Sequence, residues 1–176
     1  MILLLEGPDF AGKTSIADEL KEYHRRGILV PDSKTVNFVK MTFREDCKLE
    51  KTFDYIRQSA NYDVNVWDRC YFPSDLIYSP IVEHKQSIIA TRRWHIEYEM
   101  LMAGTVIVFV TADIGTLKKR AVRDDEYIQA TQLADICSAY VEFFASTVLP
   151  WRLINTTNKD VDSCMREVLS IVDEHL

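Results

Sequence analysis

The sequence predicts an α/β fold of three layers, a five-stranded parallel sheet with helices on both faces, built as one domain over residues 1–176. Two observations carry this. Short runs rich in Val, Ile and Leu alternate with longer stretches of helical periodicity, and such alternation closes through right-handed crossovers into a parallel sheet. Between the first run and the first helical stretch stands Gly7-Pro8-Asp9-Phe10-Ala11-Gly12-Lys13-Thr14, with the spacing G-x-x-x-x-G-K-T.

The elements follow in order. Ile2 to Leu5 is an apolar run that reads as the first strand, and the stretch from Thr14 places Ile16, Leu20 and Tyr23 on one helical face, with Gly27 as its stop. Thr35 to Met41 alternates and reads as a strand; Leu49 to Ser59 reads as a helix. Tyr62 to Trp67 is the third strand and ends at Asp68. Ser74 is placed to cap a short helix that must end before Pro80, and Ile88 to Met102 reads as one longer helix. Thr105 to Val110 is nearly all β-branched, as in a strand buried on both faces. Asp113 caps a helix through Leu117 and Arg120, and a charged cluster from Arg120 to Glu126 then interrupts the apolar pattern. Leu133, Ile136, Tyr140, Phe143 and Phe144 form a helical stripe, Trp151 to Ile154 is the last strand, and Val161, Cys164, Val168 and Ile171 mark the closing helix.

Strand, glycine-rich loop and helix at this spacing form the P-loop NTPase pattern, and each part has a physical job. Glycines let the backbone curl so that several N–H groups converge on phosphate oxygens, and the helix N-terminus adds its positive dipole end. Gly7, Ala11, Gly12, Lys13, Thr14 and Ser15 are therefore the expected ATP-binding set. Lys13 supplies a cation for the β- and γ-phosphates, and the Thr14 hydroxyl is the expected Mg²⁺ ligand. Asp68 lies at the same sheet edge, suited to hold Mg²⁺ through water or to position an acceptor.

Composition narrows the class. A chain of 176 residues with 47% hydrophobic and 27% charged residues buries a substantial core. Its net charge of -6 speaks against a protein that grips nucleic acid mainly through phosphate charge. Cys47, Cys70, Cys137 and Cys164 form no C-x-x-C pair and read as free thiols in a reducing compartment. The N-terminal apolar run is too short to span a bilayer and lacks a basic leader, so a cytoplasmic protein without membrane attachment is expected. His24, His84, His95 and His175 match no nucleophilic or metal pattern.

The loop alone does not separate a switch, a motor and a kinase. A guanine-reading switch carries N-K-x-D, whereas in Asn158-Lys159-Asp160 the aspartate comes one residue early. A motor ends a strand in a water-polarising acid; here Asp68 is followed by Arg69, and a cation beside a phosphate loop suits a second phosphate-bearing substrate. Lys118, Lys119, Arg120 and Arg123 suit a short lid around 118–128 that neutralises a transferring phosphoryl group and excludes water. Arg120 and Arg123 are its catalytic candidates, Glu126 is a candidate anchor, and Lys118 and Lys119 read as a solvated helix face. Together these features favour a small-molecule kinase.

At this point the sequence resembles the thymidylate kinases, a family of deoxynucleotide kinases whose loop reads E-G-x-D-G-x-G-K-[ST], matched here by Glu6 to Thr14. Asp68-Arg69 resembles the family's D-R motif, Leu117 to Arg120 its L-x-x-R, and Ile154-Asn155-Thr156-Thr157 its last strand and adenine-side loop. The resemblance implies that Asp9 approaches the substrate sugar or acceptor phosphate, that Arg69 grips that phosphate, and that Phe53 and Arg57 lie over the base. It implies a homodimer as well. Departures are visible. Phe10 stands where the family has Gly; R-E-P-G is reduced to Arg44-Glu45-Asp46; Ser74 and Tyr78 each sit one residue late in the pattern that supplies a stacking aromatic. Arg44, Phe10 and Tyr78 remain candidate substrate contacts.

The expected activity is transfer of the ATP γ-phosphoryl to a pyrimidine deoxynucleoside monophosphate, dTMP or a 5-substituted dUMP. A deoxynucleoside kinase, with Asp68 as base toward a hydroxyl acceptor, is the alternative. A polynucleotide kinase and a non-catalytic nucleotide switch stand behind it.

Overall fold

The computed structural model describes residues 1–31, 34–41, 48–121 and 131–175. Its sheet has five strands, β1 (Ile2–Glu6), β2 (Val36–Lys40), β3 (Val64–Asp68), β4 (Thr105–Thr111) and β5 (Trp151–Asn155), in the order β2-β3-β1-β4-β5. Every pairing is parallel. The expected class and strand count are both found. β1 and β3 are buried along their whole length, as strands covered on two faces must be, and that burial takes in Glu6 at the end of one and Asp68 at the end of the other.

The order positions the site. From β1 the chain runs outward on one side to β2 and back to β3, whereas β4 and β5 lie on the other side. A crevice opens where those directions part, beyond the carboxyl end of β1, and ligands of open α/β sheets bind in such crevices. Register brings the pieces level: Leu5 pairs with Asp68, and Glu6 with Phe109.

Seven helices are described: α1 (Lys13–Arg25), α2 (Lys48–Ser59), α3 (Tyr71–Ile81), α4 (Arg93–Met102), α5 (Ile114–Ala121), α6 (Leu133–Ser146) and α7 (Val161–His175). The apolar stripe of α6 is buried, and its rings form an aromatic cluster with the sheet: Phe109 lies 4.4 Å from Phe144 and 5.5 Å from Tyr140, and Phe144 lies 4.9 Å from Trp151, between ring centres. Asp113 caps α5 as expected, accepting the Thr116 N–H at 2.9 Å.

Two helices differ from expectation. Ser74 does not cap α3, and the helix does not stop before Pro80. It begins at Tyr71, has non-helical dihedrals at Phe72, and continues to Ile81. The Ser74 hydroxyl is turned instead onto the buried Glu6 carboxylate at 3.0 Å, and Pro80 is tolerated in the last turn, where Val82 N still reaches Tyr78 O at 2.8 Å. The stretch from Ile88 to Met102 is likewise not one helix. A 3₁₀ turn over Ala90–Arg92 precedes α4, because Ile89 is pulled into the core with its N–H directed to Asp75 Oδ2 at 3.5 Å. α4 buries Ile96, Glu97 and Met100 and leaves Trp94 and Met102 each 68% exposed. Among the described residues Cys70, Cys137 and Cys164 are free thiols, and no helix is long and apolar enough to cross a membrane.

Candidate active site

The loop after β1 folds as its glycines require. Gly7 has φ 146°, and a Cβ there would stand 1.9 Å from Val110 O, so β4 leaves room for hydrogen only. Gly12 has φ 95° and opens α1, whose first residue is Lys13. Phe10, where the resembled family has Gly, keeps a glycine-like φ of 64°. A cavity of about 460 Å³ lies above this turn, lined by residues 9–16 together with Arg69, Arg120, Thr156, Lys159, Asp160, Val161 and Cys164.

Lys13 is buried, and its ammonium donates to Gly7 O at 2.9 Å and Pro8 O at 2.6 Å. Burial, and after it the neighbouring Arg69 cation, push its pKa down to about 7. Thr14 Oγ1 donates to Asp68 Oδ2 at 3.2 Å, and Lys40 Nζ lies 3.8 Å from the same carboxylate oxygen. A hydroxyl and a carboxylate side by side at the mouth of a phosphate loop are the hard oxygen donors that Mg²⁺ shares with substrate phosphates, so Thr14 and Asp68 fit that ion.

Arg69 follows β3 with φ 68°, a left-handed backbone that turns its side chain into the cavity. Its guanidinium pairs with the Asp9 carboxylate and donates to Tyr78 Oη at 3.3 Å, while lying 5.2 Å from the centre of the Tyr78 ring. Burial opposes its charge, yet its neighbours together, Tyr78 and Asp9 first and then Tyr140 and Glu6, outweigh that and hold its pKa well above the usual value. Arg120 reaches across from α5, donating to Phe10 O at 3.0 Å, Thr156 Oγ1 at 3.1 Å and Thr156 O at 3.3 Å. It thus pins the phosphate loop to the turn after β5.

The other candidates fall elsewhere. Phe53 is half-buried with its ring 5.0 Å from that of His95, and Arg57 is paired with Asp54 at 3.0 Å with its side chain 75% exposed. Tyr78 is buried beside Tyr140, ring centres 6.3 Å apart, and meets Arg69 and Asp9 of the cavity lining. Arg44, Arg123 and Glu126, and with them most of the expected lid, lie outside the described residues.

Three residues stand out to which the sequence assigns no individual role. Glu6 is a fully buried carboxylate under the loop. Thr156 is buried too, and its hydroxyl donates to Ala11 O at 2.9 Å. Tyr140 donates to Glu6 Oε2 at 2.8 Å. Glu6 and Thr156 stand within motifs that carry the family resemblance, and Tyr140 left a signal only as part of an apolar stripe.

No family model matches the chain, and no curated protein does. Solved structures do. The YorR protein of Bacillus subtilis, crystallised in complex with phosphorylated GDP, superposes with a TM-score of 0.75 over 98% of this chain and 96% of its own, at 24% identity. Deoxyadenosine kinase from M. mycoides with bound dATP gives 0.65 over 98% and 100%, at 13% identity. Thymidylate kinase from Candida albicans gives 0.58 over 98% and 91%, at 15% identity. The chain has the fold of the phosphate-loop nucleotide kinases. Its likeness to these kinases spans nearly the whole chain. In this nucleotide-kinase fold, the cavity over Lys13 and Arg69 occupies the crevice at the strand ends.

Proposed function

We propose that the protein is a nucleoside monophosphate kinase that moves the γ-phosphoryl of ATP to a pyrimidine deoxynucleotide, dTMP or a 5-substituted dUMP. The observation that carries this is Arg69, a cation in the same cavity as Lys13 and held by Asp9 and Tyr78. Of the four cationic side chains that line the cavity, Lys13, Arg69, Arg120 and Lys159, the first two suit two phosphate-bearing substrates, one on the loop and one on Arg69.

Lys13 binds the donor phosphates, and Arg69 orients the acceptor phosphate for in-line attack. An anionic phosphate acceptor needs little help from a base, which leaves Asp68 free for the metal side, as its contact with Thr14 supports. Mg²⁺ held by Thr14 and, through water, by Asp68 would neutralise charge on the donor phosphates. Arg120 keeps the loop and the Thr156 turn together around the donor. Arg123, Arg44, Phe53 and Arg57 remain proposed lid and acceptor contacts, and a homodimer is proposed with them.

The second reading is a deoxynucleoside kinase, favoured by the likeness to deoxyadenosine kinase. ADP release with product identification across dTMP, dUMP, dCMP, 5-substituted dUMPs and thymidine separates the two. Turnover of a monophosphate supports the first reading. Turnover of thymidine alone replaces it, with Asp68 as the base.

A further inference from the structure

We propose that Glu6 is a positioning residue, whose buried carboxylate fixes the backbone that aims Arg69 and the first residue of the phosphate loop in one shared geometry. What Arg69 is aimed at rests on the kinase reading; that Glu6 aims it does not.

Glu6 ends β1 one residue beyond the Leu5–Asp68 pairing, so it lies level with the turn that carries Arg69. A left-handed conformation at a non-glycine residue is costly and persists only when its surroundings fix it. Here both flanking N–H groups are held. Arg69 N donates to Leu5 O at 3.1 Å, and Cys70 N donates to Glu6 Oε1 at 2.9 Å. Cys70 is buried, so without Glu6 its N–H would lose this partner inside the core. The other carboxylate oxygen accepts from Gly7 N at 3.3 Å and from Tyr140 Oη at 2.8 Å, and Ser74 Oγ lies within 3.2 Å of both oxygens. One side chain therefore joins the loop, the Arg69 turn, α3 and α6.

A fully buried carboxylate is expensive, and an apolar residue would fill the same volume at less cost. Glu6 also stands close enough to Arg69 and Lys13 for their charges to act on it. A negative charge beneath an anion site weakens anion binding by itself. The two roles that Glu6 could play thus have opposite signs: positioning strengthens phosphate binding, and its field weakens it.

The test is calorimetric titration of inorganic pyrophosphate into wild type, Glu6→Gln, Arg69→Ala and the double variant, with the melting temperature of each recorded. If Glu6 positions Arg69, Glu6→Gln weakens pyrophosphate roughly tenfold, the scale of one lost charge-assisted bond. Pyrophosphate, unlike ATP, has no base or sugar to hold it on the loop and is held by charge from Lys13 and Arg69 together, so Arg69→Ala then costs a similar factor, and the double variant is no worse than Arg69→Ala alone. Tighter binding by Glu6→Gln, unchanged binding, or additive losses would overturn the proposal. Should Glu6→Gln not fold, Tyr140→Phe and Ser74→Ala each remove one donor to the carboxylate; each is expected to weaken binding a few-fold, and no change in either contradicts the role. Wild type that binds pyrophosphate yet phosphorylates nothing overturns the kinase reading and leaves this one standing. Wild type that binds no pyrophosphate overturns both.

Discussion

Thr14 Oγ1 donates a hydrogen bond to Asp68 Oδ2 at 3.2 Å, joining the phosphate loop to the end of β3 across 54 positions of sequence. Parallel pairing of β1 with β3 makes this contact, because it sets Leu5 beside Asp68 and so brings the two following turns to one edge. If the pair holds Mg²⁺ directly on one side and through water on the other, Thr14→Ala and Asp68→Asn each raise the Mg²⁺ needed for half-maximal turnover by roughly 10- to 100-fold. Magnesium titration at saturating ATP reads this, and an unchanged requirement in both variants contradicts it.

Lys13 gives a pH prediction with a fixed sign. Burial, then Arg69, lowers its pKa from 10.5 to about 7 in the folded chain. The native state therefore releases a proton that the unfolded state keeps between those values, and stability rises with pH across that window. Below about pH 7 both states carry the charge and its burial cost is fully present. Wild type should thus gain melting temperature between those pH values relative to Lys13→Met. Donor phosphates restore the charge, so ATP binding near pH 8, on the order of one unit above that pKa, takes up a proton. Calorimetry in buffers of different ionisation enthalpy measures the uptake, and finding none refutes the assignment.

Arg120 makes a prediction about the donor side. Its guanidinium spans from Phe10 O to the Thr156 hydroxyl and carbonyl, a fork that an ammonium cannot copy. Arg120→Ala should weaken ATP about tenfold, the scale of one or two lost charge-assisted bonds. Arg120→Lys should recover only part of that. Equal affinity in all three proteins, measured by calorimetry, would show that the fork does not shape the donor site.

Gly7 tests the loop itself. A methyl group there meets the Val110 carbonyl oxygen at 1.9 Å, and neither backbone can move without unpairing β1 from β4. Gly7→Ala should cost on the order of 2 kcal/mol or more in stability, as overpacking against rigid backbone does. Gly12→Ala meets nothing within 4 Å and carries only the strain of φ 95°, so it should lose less stability. A chemical denaturation series ranks the two, and the reverse order contradicts the geometry.

What could be read from sequence was local. The strands announced themselves as Val- and Ile-rich runs, and Gly7 to Thr14 carries its own chemistry in fixed spacing. Asp68 and Arg69 needed only the inference that parallel strands end at one edge. Contacts between distant residues were not legible. Ser74 looked like a cap because caps are local, but its partner Glu6 is 68 positions away. Tyr140 showed itself only as part of an apolar stripe, although its hydroxyl reaches 134 positions back to Glu6. Hydrogen-bond partners of this kind are chosen by packing, and packing has no short signature.

The most direct test of the account is transfer of label from γ-labelled ATP to dTMP and to thymidine, in wild type and in Arg69→Ala. The account predicts labelled diphosphate from dTMP and none from thymidine. It predicts a loss of about 100-fold or more in kcat/KM for Arg69→Ala, as expected for an anchor of the reacting phosphate, with ATP affinity retained. Label on thymidine alone, or dTMP turnover untouched by Arg69→Ala, would contradict it.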